Sequence, residues 1–307
     1  MYKNIKILVI YERKINPTRS FIFLILFLDN KWVKSTDGKT DLYSQTLHYR
    51  AGVFEGIRSY KTEKGTKLFK AKEHFERLHY SAKKMHIKIP YSIDKLTTLS
   101  YELLKKNNLE DAYIRPLVFL GQNMTLQPSE SVHVMLCAWE WGKYLGNSAL
   151  KIMTSSFQRP NPKSCFIEAK VTGHYINSIL ATKEAKQKGY DESLLLDMNG
   201  CVAEGPGANF FYEKENILYT APHGNILSGI TRQTIFEIAK ELKYTIKEKH
   251  FKPKDVYAAD GAFFTGTAAE ISAIESLDNH SFKLTWEETM GYKLALAYQK
   301  RVQEKWN

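Results

Sequence analysis

Apolar positions recur at spacings of three and four between Glu73 and His86, where Phe75, Leu78, Ala82 and Met85 share one face and Pro90 follows, so an amphipathic helix is predicted there. Ser92 is placed to cap a second helix running through Leu104, with Leu96, Leu99 and Leu103 inward and Lys105 and Lys106 at its negative end. Residues 21–34 read as a strand, a turn at Asp29-Asn30-Lys31 and a second strand. Two β-rich stretches follow, Ala112–Leu120 and Val132–Trp139. Farther on, a strand is expected over Leu150–Ser155 and a helix over Tyr175–Lys188, closed by Gly189. Ser193–Met198 leads into Asn199-Gly200, which predicts a hairpin with a type I′ turn. A helix over Thr231–Leu242, a strand at Ala262–Thr265 and a final helix from Trp286 to Gln303 complete the pattern. Hairpins mixed with separate helices indicate an α+β or mixed α/β fold rather than strict βαβ alternation. The polar, glycine-bearing stretch 142–149 reads as an interdomain loop. It separates a small N-terminal α/β domain, 21–141, from a large C-terminal domain, 150–307, and residues 1–20 read as an N-terminal extension.

Composition narrows the function classes. With 43% hydrophobic and 25% charged residues over 307 positions, the chain can bury a core, which excludes disorder, collagen and small disulfide scaffolds. The net charge of +11 would suit an acidic partner, but no run of four basic residues and no glycine-aromatic interleaving is present, so no nucleic acid is expected. Cys137, Cys165 and Cys201 form no C-x-x-C pair, which argues against a disulfide framework or a zinc site and fits a reducing, cytoplasmic compartment. The apolar run Phe21–Leu28 is far short of the roughly 18 residues that span a bilayer, and Asp29-Asn30-Lys31 offers no signal-peptide cleavage site, so no membrane association is expected.

Several chemistries are struck off by inspection: no G-x-S-x-G elbow, H-E-x-x-H, P-loop or EF-hand occurs, and no histidine spacing suits a metal. Gly205-Pro206-Gly207-Ala208-Asn209-Phe210 opens like a dinucleotide fingerprint but carries Phe210 where a third glycine or alanine belongs. Four other features act together. Lys170 precedes a small-residue helix start; Glu204 ends a strand ahead of two glycines; Leu227-Ser228-Gly229-Ile230-Thr231-Arg232 enters a helix; Phe264-Thr265-Gly266-Thr267-Ala268 is a second hydroxyl-bearing turn. Taken singly, each is most simply a solvated side chain or a packing turn. An amine, a lone carboxylate and two anion-receiving turns in one chain fit pyridoxal 5′-phosphate. Its aldehyde needs an amine, its phosphate needs N–H and O–H donors, and its ring nitrogen needs a carboxylate to stay protonated.

The chain resembles the branched-chain amino acid aminotransferases of fold-type IV. The resemblance runs from about residue 28 to the C-terminus. It is carried by His48-Tyr49, Val53-Phe54-Glu55-Gly56-Ile57-Arg58, Arg77-Leu78-His79, Ala112-Tyr113-Ile114-Arg115-Pro116 and Trp139-Glu140-Trp141-Gly142, with the four segments above. It implies a two-domain fold-type IV enzyme, like D-amino acid aminotransferase, and reversible amino transfer between L-leucine, L-isoleucine or L-valine and 2-oxoglutarate in branched-chain amino acid biosynthesis and degradation. D-amino acid aminotransferase and aminodeoxychorismate lyase share the fold and stand as the alternatives; a basic binding module without catalysis is the alternative from another class.

By the resemblance Lys170 is the catalytic amine that joins the cofactor, Glu204 meets the ring nitrogen and Tyr175 the phenolic oxygen. Arg77, Ile230, Thr231 and Thr267 match phosphate positions, with the backbones of Gly207 and Gly266 nearby, and Arg77 is the one fixed charge among them. Tyr49, Phe54, Trp141 and Tyr144 are implied around the substrate side chain, beside Gly56. Tyr113 with the N–H groups of Thr267 and Ala268 is implied on the α-carboxylate. Arg115 would meet the distal carboxylate of glutamate and Arg58 would brace Tyr113. The family implies a homodimer or larger homo-oligomer whose neighbouring subunit completes the pocket. Arg50-Ala51 departs from the family, which usually has glycine there.

Overall fold

The computed structural model describes residues 24–142, 145–146 and 148–304. The expected N-terminal extension, the first residues of the expected 21–28 strand, and Tyr144 lie outside the described residues.

The strands fall into two sheets that change over between Trp139 and Leu150. The first contains β1 (Ile25–Leu28), β2 (Lys31–Lys34), β3 (Gly52–Phe54), β4 (Ile57–Thr62), β5 (Gly65–Leu68), β6 (Ala112–Leu120) and β7 (Val132–Trp139), in the order β2-β1-β7-β6-β4-β5 with β3 on β6. The helices with it are α1 (Gln45–Tyr49), α2 (Ala71–Lys84) and α3 (Ile93–Asn107). Alternation decides which sheet face is covered. Ile114, Val118 and Leu120 of β6 and Val134, Leu136 and Ala138 of β7 share a core with Phe75, Leu78 and Ala82 of α2 and Leu96, Leu99 and Leu103 of α3. The alternate residues Leu117, Phe119 and Met135 are only half-buried. Ser92 caps α3 as expected, its hydroxyl accepting from Lys95 N–H at 3.2 Å. Asn107, near the other end, holds both backbone polar groups of Ile25.

The second sheet contains β8 (Leu150–Gln158), β9 (Glu192–Leu196), β10 (Val202–Glu204), β11 (Asn209–Lys214), β12 (Ile217–Thr220), β13 (Thr245–Glu248), β14 (Gly261–Gly266), β15 (Glu270–Leu277) and β16 (His280–Ser281). With it come α4 (Tyr175–Gln187), α5 (Ile230–Glu241), α6 (Pro253–Val256) and α7 (Met290–Val302). Because β10 pairs with both β9 and β11, the path β10-β9-β8-β15-β14-β11 closes on itself. Phe210, Tyr212, Phe264, Ile152 and Leu194 fill one core. Their neighbours Phe211 and Phe263 turn the other way, against Ile235 and Ile238 of α5 and Leu294 and Tyr298 of α7. Burial on both faces is why Phe210-Phe211-Tyr212 is continuously apolar.

The architecture is the mixed α/β one expected, and three local readings need correction. The turn at Asn199-Gly200 is not type I′, since Gly200 is left-handed (φ 73°) but Asn199 is not. Asp197 organises a wider turn: its carbonyl accepts from Gly200 N–H at 3.1 Å, and its Oδ1 accepts from the N–H groups of Asn199 and Cys201, both at 2.9 Å. Consecutive left-handed residues occur instead at Asp29-Asn30, Glu215-Asn216 and Asp278-Asn279. The final helix is interrupted. A 3₁₀ turn over Trp286–Glu288 ends at extended Thr289, whose hydroxyl caps α7 by accepting from Tyr292 N–H at 3.0 Å. Lastly, β8 runs past Ser155 to Gln158, because parallel pairing with β9 continues to Gln158↔Leu196.

Candidate active site

Lys170 is held from three sides before its side chain does anything. Its N–H donates to Ser81 Oγ of α2 at 2.9 Å, its carbonyl accepts from Phe54 N–H at 3.1 Å, and the next residue, Val171, bridges to Val53. The chain then makes a 3₁₀ turn over Thr172–His174 into α4, which brings Tyr175 back beside the lysine. Lys170 Nζ donates to the Tyr175 hydroxyl and lies 4.7 Å from the centre of the Phe54 ring.

Glu204 sits where β10 closes onto β11. Register places Glu204 opposite Asn209, and Asn209 opposite Thr265 of β14, so three polar residues lie across adjacent strands. Glu204 Oε2 accepts from Asn209 Nδ2 at 2.9 Å, and Oε1 accepts from Leu227 N–H at 3.1 Å. Arg159, itself buried, places Nε 2.9 Å from Oε1 as an ion pair. Burial pushes the Glu204 carboxyl up from its ordinary range, opposed by the charges of Arg159 and Lys170 and the Leu227 hydrogen bond. The turn that follows is tight: a Cβ on Gly205 would come within 2.7 Å of the Phe264 ring.

A set of donors lines the same cleft. Helix α5 begins at Ile230 behind Gly229, with no side-chain cap, so the first-turn N–H groups are open. A Cβ at 229 would lie 1.9 Å from Asn209 Oδ1, so any larger residue there would have to displace the Asn209 side chain that bonds Glu204. Thr231 and Thr265 also line the cleft, and Thr265 Oγ1 is buried without a hydrogen-bond partner among the described residues. Arg77 reaches in from α2 but is not a solitary charge. Its Nε and Nη2 donate to Glu55 Oε1 and Oε2 at 2.6 and 2.9 Å, and its Nη1 donates to Ser228 O at 2.8 Å. Burial resists ionisation of Glu55. The Arg77 charge and the His74 hydrogen bond overcome it and hold the carboxyl far below the usual range.

Of the residues singled out in the sequence, Lys170, Tyr175, Glu204, Arg77, Gly207, Ile230, Thr231, Gly266, Thr267, Ala268, Gly56 and Tyr113 line one cleft. Gly56 lies against Tyr113, where a Cβ would be 1.9 Å from the hydroxyl oxygen. Phe54 is buried behind Lys170, edge-on to Tyr175, and Trp141 is edge-on to Tyr113. Arg115 Nη2 donates to the Tyr113 hydroxyl at 3.2 Å, and its buried Nε has no hydrogen-bond partner among the described residues.

Arg58 departs from its expected role. It pairs with Tyr113 only in backbone register, while its guanidinium donates to the carbonyls of Thr267 (3.1 Å), Ala268 (3.2 Å) and Gly142 (3.0 Å). In a trans peptide the N–H points opposite to the C=O, so this clamp turns the Ala268 and Ala269 N–H groups away from Arg58. Tyr49 also departs: it is 45% exposed, does not line the cleft, and donates to Met124 O at 3.1 Å.

Sequence reasoning missed Arg159, Asn209, His174 and the Glu55–His74 pair. Glu55 carried a signal, a carboxylate within apolar Val53-Phe54 that must find a partner if buried. Arg159 carried none. Burial, then the Arg159 charge, holds the His174 imidazole down at about 4.

A family model, amino-transferase class IV, matches residues 52–277. The branched-chain-amino-acid aminotransferase of Pseudomonas aeruginosa is 42% identical over 280 residues, 89% of this chain and 91% of that protein. The Escherichia coli (strain K12) enzyme of the same name is 40% identical over 261 residues, 82% and 84% of the two chains. Among solved structures, the T.th. branched-chain amino acid aminotransferase complexed with N-(5′-phosphopyridoxyl)-L-glutamate superimposes with a TM-score of 0.89 at 36% identity, covering 92% of this chain and 95% of that one. On the family match and these identities, the chain belongs to the class IV aminotransferases.

Proposed function

We propose that this chain is a branched-chain amino acid aminotransferase that uses pyridoxal 5′-phosphate and moves an amino group reversibly between L-leucine, L-isoleucine or L-valine and 2-oxoglutarate. The observation that carries the reading is the convergence, in one cleft, of Lys170 bonded to Tyr175, buried Glu204, and the uncapped start of α5 beside Arg77. The residues present fit the cofactor: an amine for the aldehyde, a buried carboxylate for the ring nitrogen, and the open N–H groups at the start of α5 with Arg77 in the same cleft for the phosphate. When bound, its protonated ring supplies an electron sink for charge developing at the substrate Cα.

The protein's own part is to hold and move protons. Lys170 Nζ would carry the proton between the substrate Cα and the former aldehyde carbon of the cofactor, with the Tyr175 hydroxyl fixing the position of the amine. Glu204 would meet the cofactor's ring nitrogen and keep it protonated, and Arg159, Asn209 and Leu227 N–H keep that carboxylate in place. Tyr113 and the Thr267-Ala268 turn receive the α-carboxylate. The Arg115 guanidinium, with its unpartnered Nε, receives the distal carboxylate of glutamate, while Phe54 and Trp141 supply apolar surface for branched side chains.

The domain limits belong to this reading, with 21–141 and 150–307 as the two domains and 142–149 the loop between them. So does a homo-oligomer. Half-buried Leu117, Phe119 and Met135 line an apolar recess with Leu26 and Leu28 of β1 and exposed Leu47 of α1. Exposed Tyr49 and Leu126 stand in the same N-terminal part of the molecule. A second copy seated there would take Tyr49 into the neighbouring cleft. Cytoplasmic location is part of the reading, supported by three unpaired cysteines. None of the described helices is long and apolar enough to cross a membrane.

Borohydride reduction of the coloured protein, followed by peptide mapping, tests the assignment. The label is expected on Lys170; a different lysine, or none, overturns it. Assays with L-leucine and D-alanine, each with 2-oxoglutarate, then fix the substrate class, and turnover of D-alanine alone favours the D-amino acid alternative.

A further inference from the structure

We propose that Glu55 is a positioning residue that aims the Arg77 guanidinium at the cofactor phosphate. The inference rests on the cofactor reading above. Glu55 is fully buried, and its carboxylate accepts four hydrogen bonds, from Arg77 Nε (2.6 Å), Arg77 Nη2 (2.9 Å), His74 Nδ1 (2.7 Å) and Gly56 N–H (3.2 Å). Its own N–H donates to Pro116 O at 2.9 Å, which pins the break between β3 and β4. A carboxylate gripping one edge of a guanidinium fixes the plane of the group as well as its position.

The remaining edge of Arg77 has a defined surrounding. Nη1 donates to Ser228 O, the residue just ahead of Gly229 and the open first turn of α5. Three of the five guanidinium N–H groups are thereby assigned, and Arg77 lines the same cleft as Ile230 and Thr231 at the start of α5. Because Glu55 stays ionised and is acceptor-only, His74 must donate from Nδ1. Burial lowers the His74 pKa and favours this neutral form. Freed from Glu55, a long arginine side chain would sample several rotamers and lose that freedom only on binding an anion. The same carboxylate accepts from the N–H of Gly56, which lies against Tyr113.

The test compares two ligands on the full-length apoprotein: pyridoxal 5′-phosphate, and pyridoxal, which has the same aldehyde and ring but no phosphate. Binding is followed by absorbance. Glu55→Gln keeps the size but puts a donor against donors from Arg77 and His74; Glu55→Asp keeps the charge but withdraws it by one methylene. In both, affinity for pyridoxal 5′-phosphate is expected to fall by roughly tenfold or more while that for pyridoxal changes by less than about twofold. Adding Glu55→Gln to Arg77→Gln is expected to cost little beyond Arg77→Gln alone, since both act on one interaction. An unchanged affinity ratio overturns the proposal, whether both ligands weaken together, as a merely structural role predicts, or neither does. If Glu55→Gln does not fold, Glu55→Asp and His74→Asn carry the same comparison. A wild-type protein that takes up no pyridoxal 5′-phosphate at Lys170 overturns the functional reading itself; normal uptake with an unchanged ratio overturns only the role of Glu55.

Discussion

Arg50 closes α1 in the left-handed region, at φ 61°, with its N–H donating to Thr46 O at 2.8 Å. An L side chain in that conformation costs about 1 kcal/mol, which glycine avoids, although glycine also enlarges the entropy of the unfolded chain. The Arg50 side chain is exposed, and its carbonyl, which accepts from Thr172 Oγ1 at 2.6 Å, survives substitution. Arg50→Gly is therefore expected to raise the Tm, by a stabilisation of a few tenths to about 1 kcal/mol; calorimetry that shows a lower Tm would contradict this. At Glu204 the charge matters more than the shape. Glu204→Gln should retain bound cofactor yet lower kcat by about a hundredfold or more, because a neutral amide does not keep a proton on the ring nitrogen. Near-normal turnover in a stopped-flow or steady-state assay would remove the electron-sink argument.

Elements were legible where their signals are local. Ser92 marks the start of α3 by a side chain that any helix start can use, and Ser92→Ala should cost about 1 kcal/mol in urea unfolding, with an unchanged m-value. Gly189 ends α4 in the left-handed conformation (φ 83°) that glycine adopts without strain. Hairpins were less legible. Glu215-Asn216 and Asp278-Asn279 make left-handed turns without glycine, so β11, β12, β15 and β16 carried little warning. Asn199-Gly200 looked like the strongest hairpin signal of the chain, but Asp197, two residues upstream, supplied acceptors that reshaped the turn. Turn type there was decided by a side chain outside the dipeptide.

Over the whole molecule, acid stability follows from which groups the fold keeps uncharged. His174, near 4, and His74, lowered by burial, are neutral in the fold but would protonate below about 6.5 in the unfolded chain. Their folded values lie below the unfolded one, so their contribution is full above about pH 6.5 and is lost as the pH falls toward the folded values. Glu192, Glu204 and Glu213, whose carboxyls burial pushes up, act in the opposite sense. The difference between wild type and His174→Asn isolates the histidine: between pH 7 and 5 the Tm of wild type should fall more steeply than that of the variant. Parallel Tm curves would show that His174 titrates alike in both states.

The amino-acid sequence by itself determined the helices α2–α5, the strands β6 and β7, and the identity of the groups able to do chemistry, Lys170 and Glu204 foremost. Periodicity, caps and side-chain reactivity act over a few residues and need no knowledge of the fold. Tertiary structure decided who stands next to whom. Closure of β10 onto β11 set Glu204, Asn209 and Thr265 side by side and brought Arg159 to the carboxylate. Packing of α2 under β3 gave Arg77 its buried partner Glu55, the Thr267-Ala268 turn rather than Tyr113 took the Arg58 guanidinium, and Tyr49 was left outside its own cleft. Such neighbours are fixed by strand register and by burial between separate segments, from 22 residues apart for Glu55 and Arg77 to 209 for Arg58 and Thr267, and no local pattern encodes a register.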